Sequence, residues 1–190
     1  MRTRGMKQTF TTTALALLIT FTTAFGVFAK GSGFTPPTTL GPDLKMEEYF
    51  EGRLTATGEY WDRKGELART FTVDLQGNWD GTTLTIVEDF VYNTGTEFQR
   101  IWKLQKDGEY GWVGTAGDTV GLARGVEDGA IFSWDYAVNL ERTPGEGDFI
   151  KVFFDDVLWR VSERKVVNYA VMKKFGMRVG EVIVRFDKPS

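Results

Sequence analysis

Short glycine-containing turn signals divide the chain from residue 51 onward into consecutive β-prone segments, and this division restricts the fold more than any other feature. The signals are Lys64-Gly65, Asp80-Gly81, Thr94-Gly95, Asp107-Gly108 and Asp128-Gly129. Asp-Gly between β-prone segments is typical of a tight hairpin, because both residues tolerate a positive φ. The sequence therefore predicts a meander of consecutive antiparallel strands.

The predicted strands are long, and only one short helical turn, LKMEEYF at residues 44–50, accompanies them. They cover residues 52–63, 66–77, 82–93, 97–106, 109–116, 118–125, 130–141, 149–161, 164–174 and 179–187. Closing such a meander into a barrel removes the exposed strand edges that a flat sheet would leave. We therefore expect an all-β, antiparallel, up-and-down barrel of about 8–10 strands, similar to lipocalins and calycins. A β-sandwich is the alternative.

The N-terminal residues predict a secretory signal peptide. Arg2, Arg4 and Lys7 precede an apolar run over residues 14–28 that ends in small residues. We expect a signal helix at residues 1–29, cleavage after Ala29, a flexible linker at 30–45 and one barrel domain at 46–188. The predicted localisation is periplasmic or exported. A membrane tether formed by the uncleaved helix is the alternative, although the run is shorter than the ~20 residues that span a bilayer.

Composition excludes several kinds of chemistry. The chain has no cysteine and no histidine, so it has no disulfide, no thiolate metal site and no Ser-His or Cys-His catalytic pair. A net charge of −3 without a basic cluster argues against a nucleic-acid partner. We expect no cofactor, no metal and a monomer.

Side-chain alternation predicts which residues face the barrel interior. It gives segments 82–93, 97–106 and 130–141 an aromatic-rich inner face with isolated charges, among them Glu88 and Arg100 on adjacent strands. A buried charge is costly unless it is paired, so these two residues need partners and could pair with each other. In KVFFDDVLWRV, residues 151–161, either Asp155 or Asp156 must face inward, and Arg100 or Arg124 is its predicted partner.

The glycine-rich stretch GTAGDTVGLARG, residues 114–125, lacks the Gly-Lys-Ser/Thr that a phosphate-binding loop needs. Its glycines instead favour a bent barrel strand or the close approach of another group. Whether the barrel interior is hollow or filled by side chains remains open at this level.

Several motifs together resemble the DUF3833 family of bacterial envelope proteins. They are, in order, FEGRLTATGEYWDRKGELARTFTVDLQGNWDGTTLTIVEDFVYNTG, RIWKL, YGWVGTAGDTVGLARG and FDDVLWRVSERKVVNYAVMKKFGMRVGEV, and together they extend over about residues 46–188. The resemblance implies a lipocalin-like barrel without an assigned activity, and a family link to membrane fatty-acid modification implies a lipidic ligand. Many members carry a lipobox cysteine that this chain lacks, so a soluble periplasmic form is implied here. Positions shared with the family pattern are Arg100, Trp102, Asp118, Arg124, Trp134, Asp155, Asp156, Asn168, Lys174 and Gly176.

The leading functional hypothesis is a periplasmic protein that binds or carries a hydrophobic or amphipathic small molecule, such as a fatty acid or lipid. An apolar cavity with a few convergent polar groups suits such a ligand, and Arg100 is the candidate for a carboxylate head group. The candidate ligand-binding residues are Glu88, Arg100, Trp102, Asp118, Arg124, Trp134, Asp155, Asp156 and Asn168.

Two alternatives come from different functional classes. One is an enzyme acting on a lipidic substrate with carboxylates alone, using Asp155 or Asp156 with Glu88 or Asp118. The other is an envelope interaction protein that docks on a protein or makes peripheral contact with a membrane. Its candidate docking side chains are Trp61, Trp79 and Trp112.

Overall fold

Ten antiparallel strands close into a barrel in the computed structural model, which describes residues 31–141 and 149–189. Each strand pairs with its neighbours along the chain, and the first strand pairs with the last. The predicted all-β, up-and-down barrel is confirmed, and the β-sandwich alternative is wrong. The predicted signal peptide and its cleavage point lie outside the described residues and stay predictions.

Within the described residues, one short helix precedes the strands, as the segment 44–50 predicts. The elements are α1 (Met46–Tyr49), β1 (Gly52–Asp62), β2 (Leu67–Trp79), β3 (Thr83–Tyr92), β4 (Glu97–Lys106), β5 (Gly111–Thr115), β6 (Ala123–Asp128), β7 (Ile131–Glu141), β8 (Phe149–Arg160), β9 (Lys165–Lys174) and β10 (Met177–Asp187). The glycines of the five turn signals all have a positive φ, from 56° to 92°. The turn residues thus set the strand boundaries for the reason that the sequence suggests.

The glycine-rich stretch folds differently from its prediction as one strand over 118–125. Residues 116–122 form a connection that lies against β7, where the N–H of Val120 donates to the carbonyl oxygen of Ala137 (2.7 Å). The strand β6 begins only at Ala123. A side chain at Gly125 is excluded, because a Cβ there would lie 2.4 Å from the Trp134 ring. The stretch therefore forms a loop over the barrel wall, and its Gly125 leaves room for the inward-facing ring of Trp134.

The helix α1 and its flanking residues close one end of the barrel. Leu44 and Tyr49 are fully buried there. The N–H of Leu44 donates to the carbonyl oxygen of Gly129, and the Tyr49 hydroxyl donates to the carbonyl oxygen of Arg164. We call this segment, residues 44–50, the plug. Burial of its apolar side chains in the barrel end stabilises a helix too short to be stable alone.

The buried carboxylate of Glu127 is one of the groups that hold the plug to the wall. Glu127 is 4 % exposed, and its Oε1 accepts hydrogen bonds from the N–H of Met46 and from Nε1 of Trp112, both at 2.9 Å. Nζ of Lys45 lies 3.4 Å from Oε2. Trp112, one of the three candidate docking side chains, is a buried side chain. Trp79 packs against it with ring centroids 5.9 Å apart.

Residues 31–43, most of the segment predicted as a linker, lie along the outside of the barrel. The N–H of Ser32 donates to Oε2 of Glu181 (2.8 Å), and the Phe34 ring stacks on Tyr169 (4.7 Å). The N–H of Gly41 then donates to the carbonyl oxygen of Arg160, next to the plug. This segment covers the outer faces of β9 and β10, which explains why Glu181 on the outer face is buried.

Candidate ligand cavity

The barrel interior is hollow, with a cavity of about 430 Å³. Met46 and Phe50 of the plug form its floor, and Arg69 lines it near the opposite end, where that side chain is exposed. The wall is mainly aromatic. Its rings come from Tyr60, Phe71, Phe90, Tyr92, Trp102, Phe132, Trp134, Tyr136, Phe154 and Phe186.

The aromatic wall follows from alternation along β4, β7 and β8. Trp102 packs edge-on against Trp134 and Tyr136, with ring centroids 5.7 and 5.2 Å apart. Tyr136 stacks on Phe154 (5.1 Å). These contacts fix the ring positions and leave apolar faces toward the cavity.

Arg100 and Asp118 form the first of two polar groups in the interior. Nη2 of Arg100 donates to Oδ2 of Asp118 at 2.7 Å, and both side chains are largely buried. Asp118 reaches this position because residues 116–122 fold over the wall. Glu88 lies directly opposite Arg100 in the β3–β4 register. Burial raises the pKa of Glu88 to about 7, although the nearby Arg100 charge opposes the rise.

Asp156, Asn168 and Tyr136 form the second polar group. Nδ2 of Asn168 donates to Oδ2 of Asp156 (2.9 Å), and the Tyr136 hydroxyl lies 3.5 Å from the same oxygen. Asp156 is 6 % exposed and Asn168 is 8 % exposed. Burial raises the pKa of Asp156 to about 7, against the hydrogen bond from Asn168, which favours the charged form. The remaining oxygens, Oδ1 of Asp156 and Oδ1 of Asn168, have no hydrogen-bond partner among the described residues.

Asp156, not Asp155, faces the interior. Asp155 lies on the outer face, where it pairs with Lys173 and is about two-fifths exposed. The sequence predicts that the inward aspartate pairs with Arg100 or Arg124. The structure shows neither pairing among the described residues. Asn168 and Tyr136 are the hydrogen-bond partners, and Arg100 acts on Asp156 only as a nearby charge that lowers its pKa.

Arg124 does not line the cavity. It lies on the outer face, 67 % exposed, with Nη1 3.6 Å from Oδ2 of Asp107. The reason is the register of β6 and β7, in which Gly125 faces Trp134 across the strands. Because Trp134 points inward over Gly125, the adjacent Arg124 must point outward.

The structure thus brings most of the predicted site residues to the interior. Glu88, Arg100, Trp102, Trp134, Asp156 and Asn168 line the cavity, and Asp118 joins them through Arg100. Tyr136 was missing from the predicted set. Alternation along residues 130–141 places it on the inner face, and a hydroxyl on an otherwise apolar face was the signal that could have identified it.

These features define a lipocalin-like, up-and-down β-barrel that is compatible with ligand binding in its interior. The chain belongs to the DUF3833 family, described as proteins of unknown function, whose family model matches residues 33–188. The family resemblance stated from the motifs is therefore confirmed. A comparison with curated proteins finds no match.

Two further observations concern only the described residues. None of their helices has both the length and the apolar character needed to cross a membrane. None of their acidic side chains gather into a group of three or more that could hold a metal ion.

Proposed function

We propose that this chain is an exported protein that binds an amphipathic small molecule inside the barrel. The apolar part of the ligand packs against the aromatic wall, and its head group lies at the polar groups around Arg100 and Asp156. The observation that carries this proposal is the hollow interior of about 430 Å³, within the ~300–1,000 Å³ typical of small-molecule sites.

The energetics of the interior support this proposal. An unfilled cavity deprives its lining atoms of dispersion contacts and lowers stability, so a barrel with a purely structural role gains by filling it. Here the wall is apolar, while Asp156 and Asn168 each retain a vacant oxygen in an enclosed site. An amphipathic ligand satisfies both parts of the cavity, because it supplies apolar surface and a polar head group.

Filling the cavity with a side chain is expected to abolish binding. Ala170 lines the cavity directly opposite Asp156 in the β8–β9 register, so Ala170→Phe places a ring inside the barrel. Val171→Phe is the matched control, because its side chain lies on the outer face of the same strand. Nile red, a neutral fluorophore that brightens in apolar sites, is the probe.

The titration uses protein purified from the envelope fraction of expressing bacteria, whose denaturing mass also reports whether the chain begins at Lys30. We expect saturable binding of one Nile red per chain for the original protein and for Val171→Phe, and a loss of about tenfold or more for Ala170→Phe. Equal binding by the two variants would place the dye outside the barrel and refute the proposal.

A second proposal concerns a peripheral membrane contact, and the apolar rim at the end opposite the plug favours it. Exposed apolar side chains there are Leu67, Phe98, Leu122, Phe149, Phe175 and Met177. Phe175 at the β9–β10 turn is 85 % exposed and has φ 52°, a left-handed conformation that a phenylalanine adopts at a cost. An exposed aromatic ring on a strained turn is stabilised if it inserts into a lipid interface.

Phe175→Asn is expected to raise stability and to weaken vesicle binding. Asparagine tolerates the left-handed region, so the free energy of unfolding should rise by up to ~1 kcal/mol. Co-flotation with phosphatidylglycerol-containing liposomes should fall, whereas Tyr110→Asn, at the plug end and 52 % exposed, should leave it unchanged. Failure of the original protein to float with liposomes would refute the membrane contact.

A further inference from the structure

The interior polar groups carry an excess of acidic over basic side chains. At the depth of the polar groups, Glu88, Asp118 and Asp156 lie near one guanidinium of the described residues, that of Arg100. Arg69, the second basic residue that lines the cavity in the described part of the chain, is exposed at its far end. Enclosed negative charge is costly unless it is neutralised by a proton or by a cation.

Most of the vacant hydrogen-bond positions next to this charge, among the described residues, are acceptors: Oδ1 of Asp118, Asp156 and Asn168 have no partner, and Nε of Arg100 is the one vacant donor. Asp156 uses Oδ2 for both of its hydrogen bonds and leaves Oδ1 without a partner. Asn168 uses its Nδ2 to donate to Asp156, so its Oδ1 is vacant as well. Both residues are more than nine-tenths buried and lie on adjacent strands facing the cavity. A head group that donates hydrogen bonds would satisfy both oxygens.

Arg100 is poorly placed to bind a carboxylate ligand. Its Nη2 donates to Asp118, and its Nε has no hydrogen-bond partner among the described residues. A carboxylate bound at this guanidinium would lie beside Asp118 and Glu88, and it would be repelled by Asp118 and, above pH ~7, by Glu88 as well. The fatty-acid head group expected from the sequence therefore conflicts with the charges around Arg100.

We propose that the ligand's head group is a protonated amine that donates hydrogen bonds to Oδ1 of Asp156 and Oδ1 of Asn168. This inference rests on the proposed binding function and specifies the ligand class as a cationic amphiphile. The ammonium group offsets the excess negative charge, and its alkyl portion packs against Trp102, Trp134 and Tyr136.

Titration of the interior gives this site a pH dependence. The groups that face or influence Asp156 are Asn168, Tyr136, Arg100 and Asp135, and burial raises the pKa of Asp156 to about 7 despite the first three. A bound ammonium favours the ionised carboxylate, so affinity for an amine should rise as the pH increases from 6 to 8. The affinity for a neutral ligand should fall or stay constant over the same pH range.

Three probes with the same alkyl chain separate the possible head groups: dodecylamine, dodecanol and dodecanoate, each competing with Nile red below its micellar concentration. We expect dodecylamine to bind about tenfold or more tightly than either of the others at pH 8. Asp156→Asn should remove most of that preference. Asp155→Asn, which changes the net charge equally but lies on the outer face, should preserve it.

The outcomes of this competition are distinct. Tighter binding of dodecanoate would assign a carboxylate ligand to Arg100, and equal binding of the alcohol and the amine would show that positive charge contributes nothing; each result overturns the inference. If none of the three displaces Nile red, while Ala170→Phe still abolishes dye binding, the head-group inference fails and the proposed function stands. The three-probe series on the original protein decides the question even if Asp156→Asn folds poorly.

Discussion

Asp156→Asn is expected to stabilise the ligand-free protein at pH 8 by about 4 kcal/mol. An aspartate in an unfolded chain has a pKa of about 3.9, whereas burial raises that of Asp156 to about 7. Between these values the folded state retains a proton that the unfolded state has lost. The stabilisation that protonated Asp156 contributes is therefore complete below pH ~4. It falls by ~1.4 kcal/mol per pH unit as the pH rises toward ~7, and it is absent above pH ~7. Asparagine resembles the protonated form at every pH.

Urea unfolding at pH 5 and pH 8 measures this effect, with Asp155→Asn as the neighbouring control. Asp155 is partly exposed and pairs with Lys173 at the surface, so its replacement should change the free energy of unfolding by less than ~1 kcal/mol. The stabilisation by Asp156→Asn should be about 2 kcal/mol or less at pH 5 and about 4 kcal/mol at pH 8. A destabilised Asp156→Asn protein at pH 8 would mean that the carboxylate is paired more strongly in the folded state than Asn168 and Tyr136 allow.

The fold was predictable because its determinants are local in the sequence. Glycines at 65, 81, 95, 108 and 129 require a positive φ at hairpin turns, and strict alternation between them assigns the inner face of β3, β4 and β7. The plug helix could also be located from its apolar residues. The strand predicted over residues 118–125 was wrong in its bounds. The glycine spacing of residues 114–125 indicates bending, but it does not show which residues stop pairing with the neighbouring strand.

The polar site was only partly predictable because it depends on contacts between distant segments. Asp118 reaches Arg100 only because residues 116–122 fold over the wall. Alternation cannot show which of Asp155 and Asp156 faces inward, because both faces of β8 are apolar. The outer face is apolar because another segment covers it, with Phe34 packed against Trp159. The outward position of Arg124 follows from the β6 register, which one sequence does not fix.

Glu127→Ala is expected to destabilise the protein by about 3 kcal/mol and to weaken ligand binding. The substitution leaves two buried donors, the N–H of Met46 and Nε1 of Trp112, without an acceptor, and each such loss costs about 1–3 kcal/mol. Met46 and Phe50 form the floor of the cavity, so loosening the plug should also lower the affinity for Nile red.

Glu127→Gln separates the hydrogen bonds from the charge. Its Oε1 can still accept from both donors, whereas the lost ion pair with Lys45, which is about a third exposed, should cost about 1 kcal/mol or less. Glu48→Ala, an exposed change on the same helix, should alter neither stability nor dye binding appreciably. If Glu127→Ala loses stability but binds Nile red normally, the plug contributes to folding without shaping the site. If both properties fall together and Glu127→Gln retains them, the buried acceptor links the barrel's closure to the floor of its cavity.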